Sequence, residues 1–148
     1  MSPEAGAGAP DQPSQLTDRF ELRLRGEVSA ITVATDSICD KLGQLQVPDE
    51  KRMEILLAVQ EALANAVVHG CQNDPSQEVH CRLDQYANGR ILIVVRDPGS
   101  GYSPHALTNP QHSDHIYQDH GRGIYLIRQL MDDVSFERGG SEIRMWKY

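Results

Sequence analysis

The stretch LAVQEALANAVVHG, residues 57–70, decides the fold expected for this 148-residue chain. Its apolar residues recur every three to four positions, which is the spacing of an amphipathic helix. Residues four apart lie on one helix face, so Glu61, Asn65 and His69 form a polar line beside the apolar face. This line is either an ordinary solvated face or a ligand site. Glu61 and Asn65 offer hard oxygen ligands one turn apart, a spacing that suits Mg²⁺.

The patterns on either side of this stretch predict the order strand, helix, helix, strand, strand, loop, helix, strand, strand. The long helix is predicted over about 49–69, after a turn at Pro48. FELRLRG, residues 20–26, reads as an edge strand. Hairpins are predicted at Asn88-Gly89 and around Gly139-Gly140.

Strands clustered in hairpins with helices between them predict an α+β two-layer sandwich. We expect a mixed, mostly antiparallel sheet with the helices on one face. Residues 1–15 are rich in Pro, Gly and Ala and lack large apolar groups, which predicts a disordered tail. Residues 16–148 are then one domain.

The composition excludes several classes of protein. The formal net charge of −7 disfavours binding to nucleic acid. No segment approaches the ~18 apolar residues of a membrane span, and no signal peptide is apparent, so we expect a cytoplasmic protein without a membrane partner. Three cysteines without CxxC spacing, at Cys39, Cys71 and Cys81, predict reduced and mostly structural thiols.

A second motif, RDPGSGYS at residues 96–103, follows the most apolar predicted strand. The Asp97 carboxylate at a strand end can accept a hydrogen bond from an exocyclic amine. Gly99 and Gly101 allow the backbone to approach a flat ligand closely. An ordinary Asp-Pro-Gly turn is the alternative interpretation.

A third motif, GRGIYLIRQL at residues 121–130, runs a Gly-x-Gly into an apolar helix. Exposed amides at a helix start and the guanidinium of Arg122 favour an anion site, although a flexible helix start would also explain them. The motif is neither a Walker P-loop nor a Rossmann fingerprint. Residues 102–120, between the second and third motifs, are too long for an ordinary connection and predict a polar lid.

In this order, the three motifs resemble those of the Bergerat-type ATPase fold shared by gyrase, MutL, heat-shock chaperones and histidine kinases. Over residues 16–148 the chain resembles the bacterial anti-sigma factor serine/threonine kinases. Residues 57–70 resemble their N-box, residues 94–104 their adenine-binding box, and residues 121–134 their second glycine box, with its Met-Asp-Asp-Val ending.

The resemblance implies ATP and Mg²⁺ as cofactors. It implies that Asn65 coordinates the metal and that Glu61 is the general base that takes the proton from an attacking serine hydroxyl. It implies that Asp97 holds the adenine amine. It implies that Gly99 and Gly101 make room for the base. It also implies that the phosphates are held by Gly121, Arg122 and Gly123.

The implied function is an ATP-binding anti-sigma factor with serine/threonine protein kinase activity. Such a protein phosphorylates an anti-sigma-factor antagonist, sequesters a sigma factor and commonly forms a homodimer. Two alternatives stay open, a partner-switching module that binds ATP without kinase activity and a regulatory ATPase. Histidine kinases usually carry Lys or Arg where this chain has His69, which disfavours that class. Many related ATPases carry a Thr-Thr pair near the adenine, where this chain has Ser141 and Glu142.

Overall fold

The computed structural model describes residues 14–99 and 122–148. Its elements follow the predicted order of strands and helices. They are β1 (Leu16–Arg25), α1 (Ser29–Gln44), α2 (Asp49–Asn65), β2 (Glu78–Tyr86), β3 (Ile91–Arg96), α3 (Arg122–Leu130), β4 (Asp133–Glu137) and β5 (Glu142–Lys147).

The five strands form one sheet in the order β1-β2-β3-β5-β4. All four strand pairs are antiparallel, which confirms the mostly antiparallel prediction; the described residues contain no parallel pair. Strand β1 lies at one edge, as expected. Strand β3 lies between β2 and β5, and its first five residues are buried. Asp97 directly follows the carboxyl end of this strand.

The helices pack on one face of the sheet, as predicted. Alternate strand residues, including Val79, Leu83, Ile93 and Met145, join the helices in one buried core. The opposite face carries charged side chains. There Asp84 is fully buried between the guanidinium groups of Arg19 and Arg82, at 2.8 and 3.1 Å. The α+β two-layer sandwich is therefore confirmed.

Helix α2 begins after Pro48, and Asp49 and Glu50 place negative charge in its first turn, where the helix dipole favours it. Its regular α-helical geometry ends at Asn65. Residues Ala66–Gly70 instead form one π-helical turn, closed by the amide of Cys71 donating to the carbonyl of Ala66 at 2.8 Å. The predicted helix over 49–69 is thus one rod whose last turn is wider than the pattern indicates.

Helix α3 runs antiparallel along α2. Its first turn contacts Glu61, whereas its carbonyl at Leu130 accepts a hydrogen bond from the ammonium of Lys147. That ammonium also pairs with Glu54, two turns before Glu61, at 2.8 Å. This pairing ties the end of α3 to α2 near Glu54.

The predicted lid, residues 102–120, lies outside the described residues, and of the predicted tail, residues 1–15, only residues 14 and 15 are described. Both stay predictions. Two cysteines, Cys71 and Cys81, are buried free thiols in the core, and Cys39 is half-buried. Burial raises the pKa of the Cys81 thiol to about 12. Within residues 14–99 and 122–148, no helix is long and apolar enough to cross a membrane.

Candidate functional site

Helix α2 and the start of α3 bring three sequence-predicted residues together: Glu61, Asn65 and Gly123. A Cβ built on Gly123 would lie 2.9 Å from Glu61 Oε1 and 3.4 Å from Asn65 Nδ2. The backbone of α3 therefore touches both polar side chains, and only a residue without a side chain leaves their positions undisturbed. We call these three residues the α2–α3 cluster.

Asn65 is buried, with 6% of its surface exposed. Its Nδ2 has no hydrogen-bond partner among the described residues. A buried amide without a partner is costly, so an ordered water, an ion or a ligand is expected to complete it. Because the two ends of an amide differ only by rotation about the last side-chain bond, either its oxygen or its nitrogen can face such a ligand.

A second group forms around Asp97, directly after β3. Its backbone amide donates to the carbonyl of Ser141 at 2.9 Å, which ties it to the start of β5. The amide of Gly99 donates to Asp97 Oδ1 at 2.7 Å. Asp97 is 9% exposed, and burial raises the pKa of its carboxyl, an effect that the Gly99 hydrogen bond partly offsets. The carboxylate is thus largely buried and is oriented by a backbone hydrogen bond.

The sequence patterns did not identify Gly70, which packs directly against this carboxylate. A Cβ built on Gly70 would lie 2.2 Å from Asp97 Cγ. The only sequence signal is a glycine that closes the N-box stretch immediately after His69. We call Gly70, Asp97 and Gly99 the Asp97 cluster. The π-helical turn joins it to the α2–α3 cluster, because Asn65 and Gly70 bound that turn.

Two predicted site residues, Gly101 and Gly121, lie outside the described residues. Arg122 is exposed at the first position of α3. Its guanidinium is therefore exposed to solvent next to Gly123, at a helix start, where the helix dipole favours an anion.

The residues present fit a nucleotide and a divalent cation. The α2–α3 cluster supplies a half-buried carboxylate and an amide whose nitrogen has no partner within residues 14–99 and 122–148, both beside a helix start. Carboxylate and amide oxygens are ligands that Mg²⁺ uses, and the N–H groups of a helix start bind phosphates. The Asp97 cluster supplies one buried acceptor whose approach is lined by glycine backbone. Such an acceptor suits a flat base that carries an amine.

Comparison with known proteins identifies the family of the chain. Residues 20–147 match the model of the histidine kinase-like ATPase domain family. A serine-protein kinase RsbW from Bacillus subtilis is 30% identical over 144 residues, covering 88% of this chain and 86% of the relative. An anti-sigma F factor from Heyndrickxia coagulans is 28% identical over 140 residues, covering 88% and 85%.

Among solved structures, the chain is similar to the RsbU and RsbW domains of a Mycobacterium tuberculosis protein, with a TM-score of 0.63 and 15% identity. The match covers 88% of this chain and 32% of that one, and at this identity it supports the fold alone. The family match and the curated relatives extend over both clusters. The chain therefore belongs to the histidine kinase-like ATPase family and, within it, to the anti-sigma factor serine-protein kinases.

Proposed function

We propose that this protein is an ATP-binding anti-sigma factor that phosphorylates an antagonist protein on serine or threonine. One observation carries the proposal. Glu61 and Asn65 lie one helical turn apart against the glycine at the start of α3, and the buried Asn65 Nδ2 has no hydrogen-bond partner in the described part of the chain. Relatives named serine-protein kinase and anti-sigma factor support the assignment.

In this proposal, each cluster binds one end of the nucleotide. Asn65 holds the Mg²⁺, and bound Mg²⁺ supplies neutralisation of the phosphate charge during transfer. Arg122 donates to phosphate oxygens, and the backbone of Gly121 and Gly123 lines their cradle. A helix start can do this in an acidic protein because amides and the helix dipole act locally.

The Asp97 cluster binds the base. The Asp97 carboxylate accepts a hydrogen bond from the exocyclic amine of adenine. The hydrogen bond from the Gly99 amide holds that carboxylate in its orientation. Gly99 and Gly101 leave room for the ring. The raised pKa of Asp97 is consistent with a carboxylate that lacks a full set of donors until a ligand arrives.

Glu61 is proposed as the general base. Its carboxylate is half-buried and contacts the start of α3, next to the proposed phosphate cradle. A base must lie within hydrogen-bond reach of the hydroxyl that it deprotonates. In the proposal, Glu61 accepts the proton of a serine or threonine hydroxyl that the antagonist presents at the γ-phosphate.

The proposed partners are an anti-sigma-factor antagonist, as the substrate, and a sigma factor, as the sequestered protein. A homodimer is also proposed. Its supporting feature is the apolar surface of edge strand β1 and α1, where Val28 and Val33 are 58% and 67% exposed. Sigma factors and ATP share the cytoplasm, and the proposal places this protein there.

The kinase activity is tested by transfer of the radiolabelled γ-phosphate of ATP to protein in an extract from cells that lack this chain. The expected result is one dominant labelled protein of small size that carries phosphoserine or phosphothreonine. Labelling should require Mg²⁺ and should fall at least about 100-fold with the Glu61→Gln variant. Magnesium-dependent ATP binding with no labelled protein would instead favour the partner-switching module, and steady phosphate release without a protein substrate would favour a regulatory ATPase.

A further inference from the structure

Gly70 is held closer to Asp97 than any side chain would allow. A Cβ at position 70 would lie 2.2 Å from Cγ, 2.5 Å from Oδ2 and 2.6 Å from Cβ of Asp97, all below the 3.0 Å that Cβ atoms do not cross. The φ angle of Gly70 is not positive, so backbone conformation does not explain the glycine. Close approach to the carboxyl group does.

The opposite side of the same carboxyl group is equally confined. A Cβ on Gly99 would lie 3.0 Å from Asp97 Oδ1 and 2.8 Å from the carbonyl oxygen of Gly70. The Asp97 side chain therefore lies between two glycine backbones, one from the end of α2 and one from its own loop. The Gly99 amide fixes one oxygen, and the Gly70 backbone limits where the other can move.

Gly70 is the last residue of the π-helical turn. A π turn widens the helix by one residue and displaces the residues after it, and such turns are frequent at functional sites. The next residue, Cys71, also lies near the carboxylate: burial, and secondly the charge of Asp97, raise the pKa of its thiol. The end of α2 is thus packed on the group that is proposed to read the base.

We propose that Gly70 is a positioning residue for base specificity, which acts by letting the end of α2 set the location of the Asp97 carboxylate. This inference rests on the proposed function, because it assumes that Asp97 accepts from the adenine amine. Guanine presents a carbonyl oxygen where adenine presents its amine, and a fixed carboxylate repels that oxygen. A displaced carboxylate neither attracts the adenine amine nor repels the guanine oxygen as strongly, so the preference for ATP over GTP falls.

The test compares Gly70→Ala with the wild-type protein by calorimetric titration with MgATP and, separately, MgGTP. The quantity of interest is the ratio of the two dissociation constants. We expect the wild type to prefer ATP and the variant to lose about tenfold or more of that preference, since sites built around one hydrogen bond discriminate through it. Gly43→Ala is the matched control, because a Cβ there meets only the flexible Arg52 guanidinium, at 3.0 Å.

A purely structural role for Gly70 would lower the unfolding temperature and leave the ratio unchanged. The double variant Gly70→Ala/Asp97→Ala separates the two cases. If Gly70 acts through Asp97, the ratio is already lost in Asp97→Ala and does not change further. A further fall in the double variant, or a folded Gly70→Ala that keeps the wild-type ratio, overturns the inference.

Gly99→Ala provides a second route if Gly70→Ala does not fold. Its added methyl presses on the same carboxyl from the loop side, with milder contacts. It should lower the ATP preference, and an unchanged preference would overturn the inference in the same way. A wild-type protein that binds no ATP would overturn the proposed function itself, whereas a wild type that prefers ATP beside an unaltered Gly70→Ala overturns only this inference.

Discussion

Gly123 and Glu61 are in direct contact: a Cβ on Gly123 would come within 2.9 Å of Glu61 Oε1. The start of α3 therefore determines where the proposed general base can lie. The two residues are far apart in the sequence, and the antiparallel packing of α3 along α2 brings them together. A substitution at Gly123 therefore tests the contact with Glu61 without changing Gly121, the other glycine beside Arg122.

The first prediction concerns Gly123→Ala. Alanine is favoured over glycine in a helix by up to about 1 kcal/mol, and the atom that the methyl meets is the far end of a flexible side chain. We therefore expect an unchanged or higher unfolding temperature. The displaced Glu61 carboxylate should slow γ-phosphate transfer by up to about 100-fold, the cost of a misplacement near 1 Å. Gly43→Ala serves as the control, and a fully active Gly123→Ala would show that Glu61 does not depend on this contact.

The second prediction concerns Glu61→Gln, which keeps the shape of the side chain and removes its basicity. General-base catalysis contributes about 10²- to 10⁴-fold, and transfer to the antagonist protein should fall by that factor. The dissociation constant for MgATP should stay within about threefold of wild type, since Asn65 and Asp97 are intact. Single-turnover transfer and calorimetry measure the two quantities. Loss of ATP binding in this variant would argue against the assigned role.

The third prediction concerns pH and Asp97. Burial raises the pKa of this carboxyl above its ordinary 3.8, so the folded protein binds the proton more tightly than the unfolded chain does. The ionised form therefore costs stability at neutral pH, and stability is recovered as the pH falls through the raised pKa. We expect Asp97→Asn to unfold at a higher urea concentration than wild type at pH 7. The difference should narrow as the pH is lowered toward 3.8.

Binding of ATP should show the opposite dependence. The ionised carboxylate is the stronger hydrogen-bond acceptor, so the affinity for ATP should fall as the pH drops through the raised pKa. The amide introduced by Asp97→Asn would present a weaker oxygen acceptor and, in its other orientation, a donor facing the adenine amine. We expect this variant to bind ATP at least about tenfold more weakly, and its affinity should no longer vary with pH in this range. An affinity for ATP equal to that of wild type would remove Asp97 from the base site.

The architecture could be predicted from sequence because its signals are local. The hairpin at Asn88-Gly89 follows from turn chemistry, and Gly89 has the positive φ of 89° that such a turn uses. The run of apolar residues between turn signals marks β3 as a strand, and its first five residues are buried. Helical spacing predicted the buried face of α2, on which Val59 and Leu63 are fully buried. Each of these features depends on residues close together in the chain.

The parts that could not be predicted depend on contacts between distant segments. The apolar spacing continues through residues 66–70, so no periodicity distinguishes the π-helical turn from a regular one. The turn coincides with the packing of Gly70 against Asp97, which lies beyond two further strands in the chain. Similarly, spacing placed Asn65 on the polar line but could not show that the start of α3 buries it. Gly101 and Gly121 lie outside the described residues, and their roles stay predictions.

The most direct test of the account is calorimetric binding of ATP to the purified protein with and without Mg²⁺, beside the Asn65→Ala variant. The account predicts ATP binding that Mg²⁺ strengthens in the wild type, and loss of that Mg²⁺ dependence in Asn65→Ala while the protein stays folded. Equal Mg²⁺-dependent binding by both proteins would contradict the assignment of the buried amide as the metal ligand, and no ATP binding by the wild type would contradict the nucleotide site altogether.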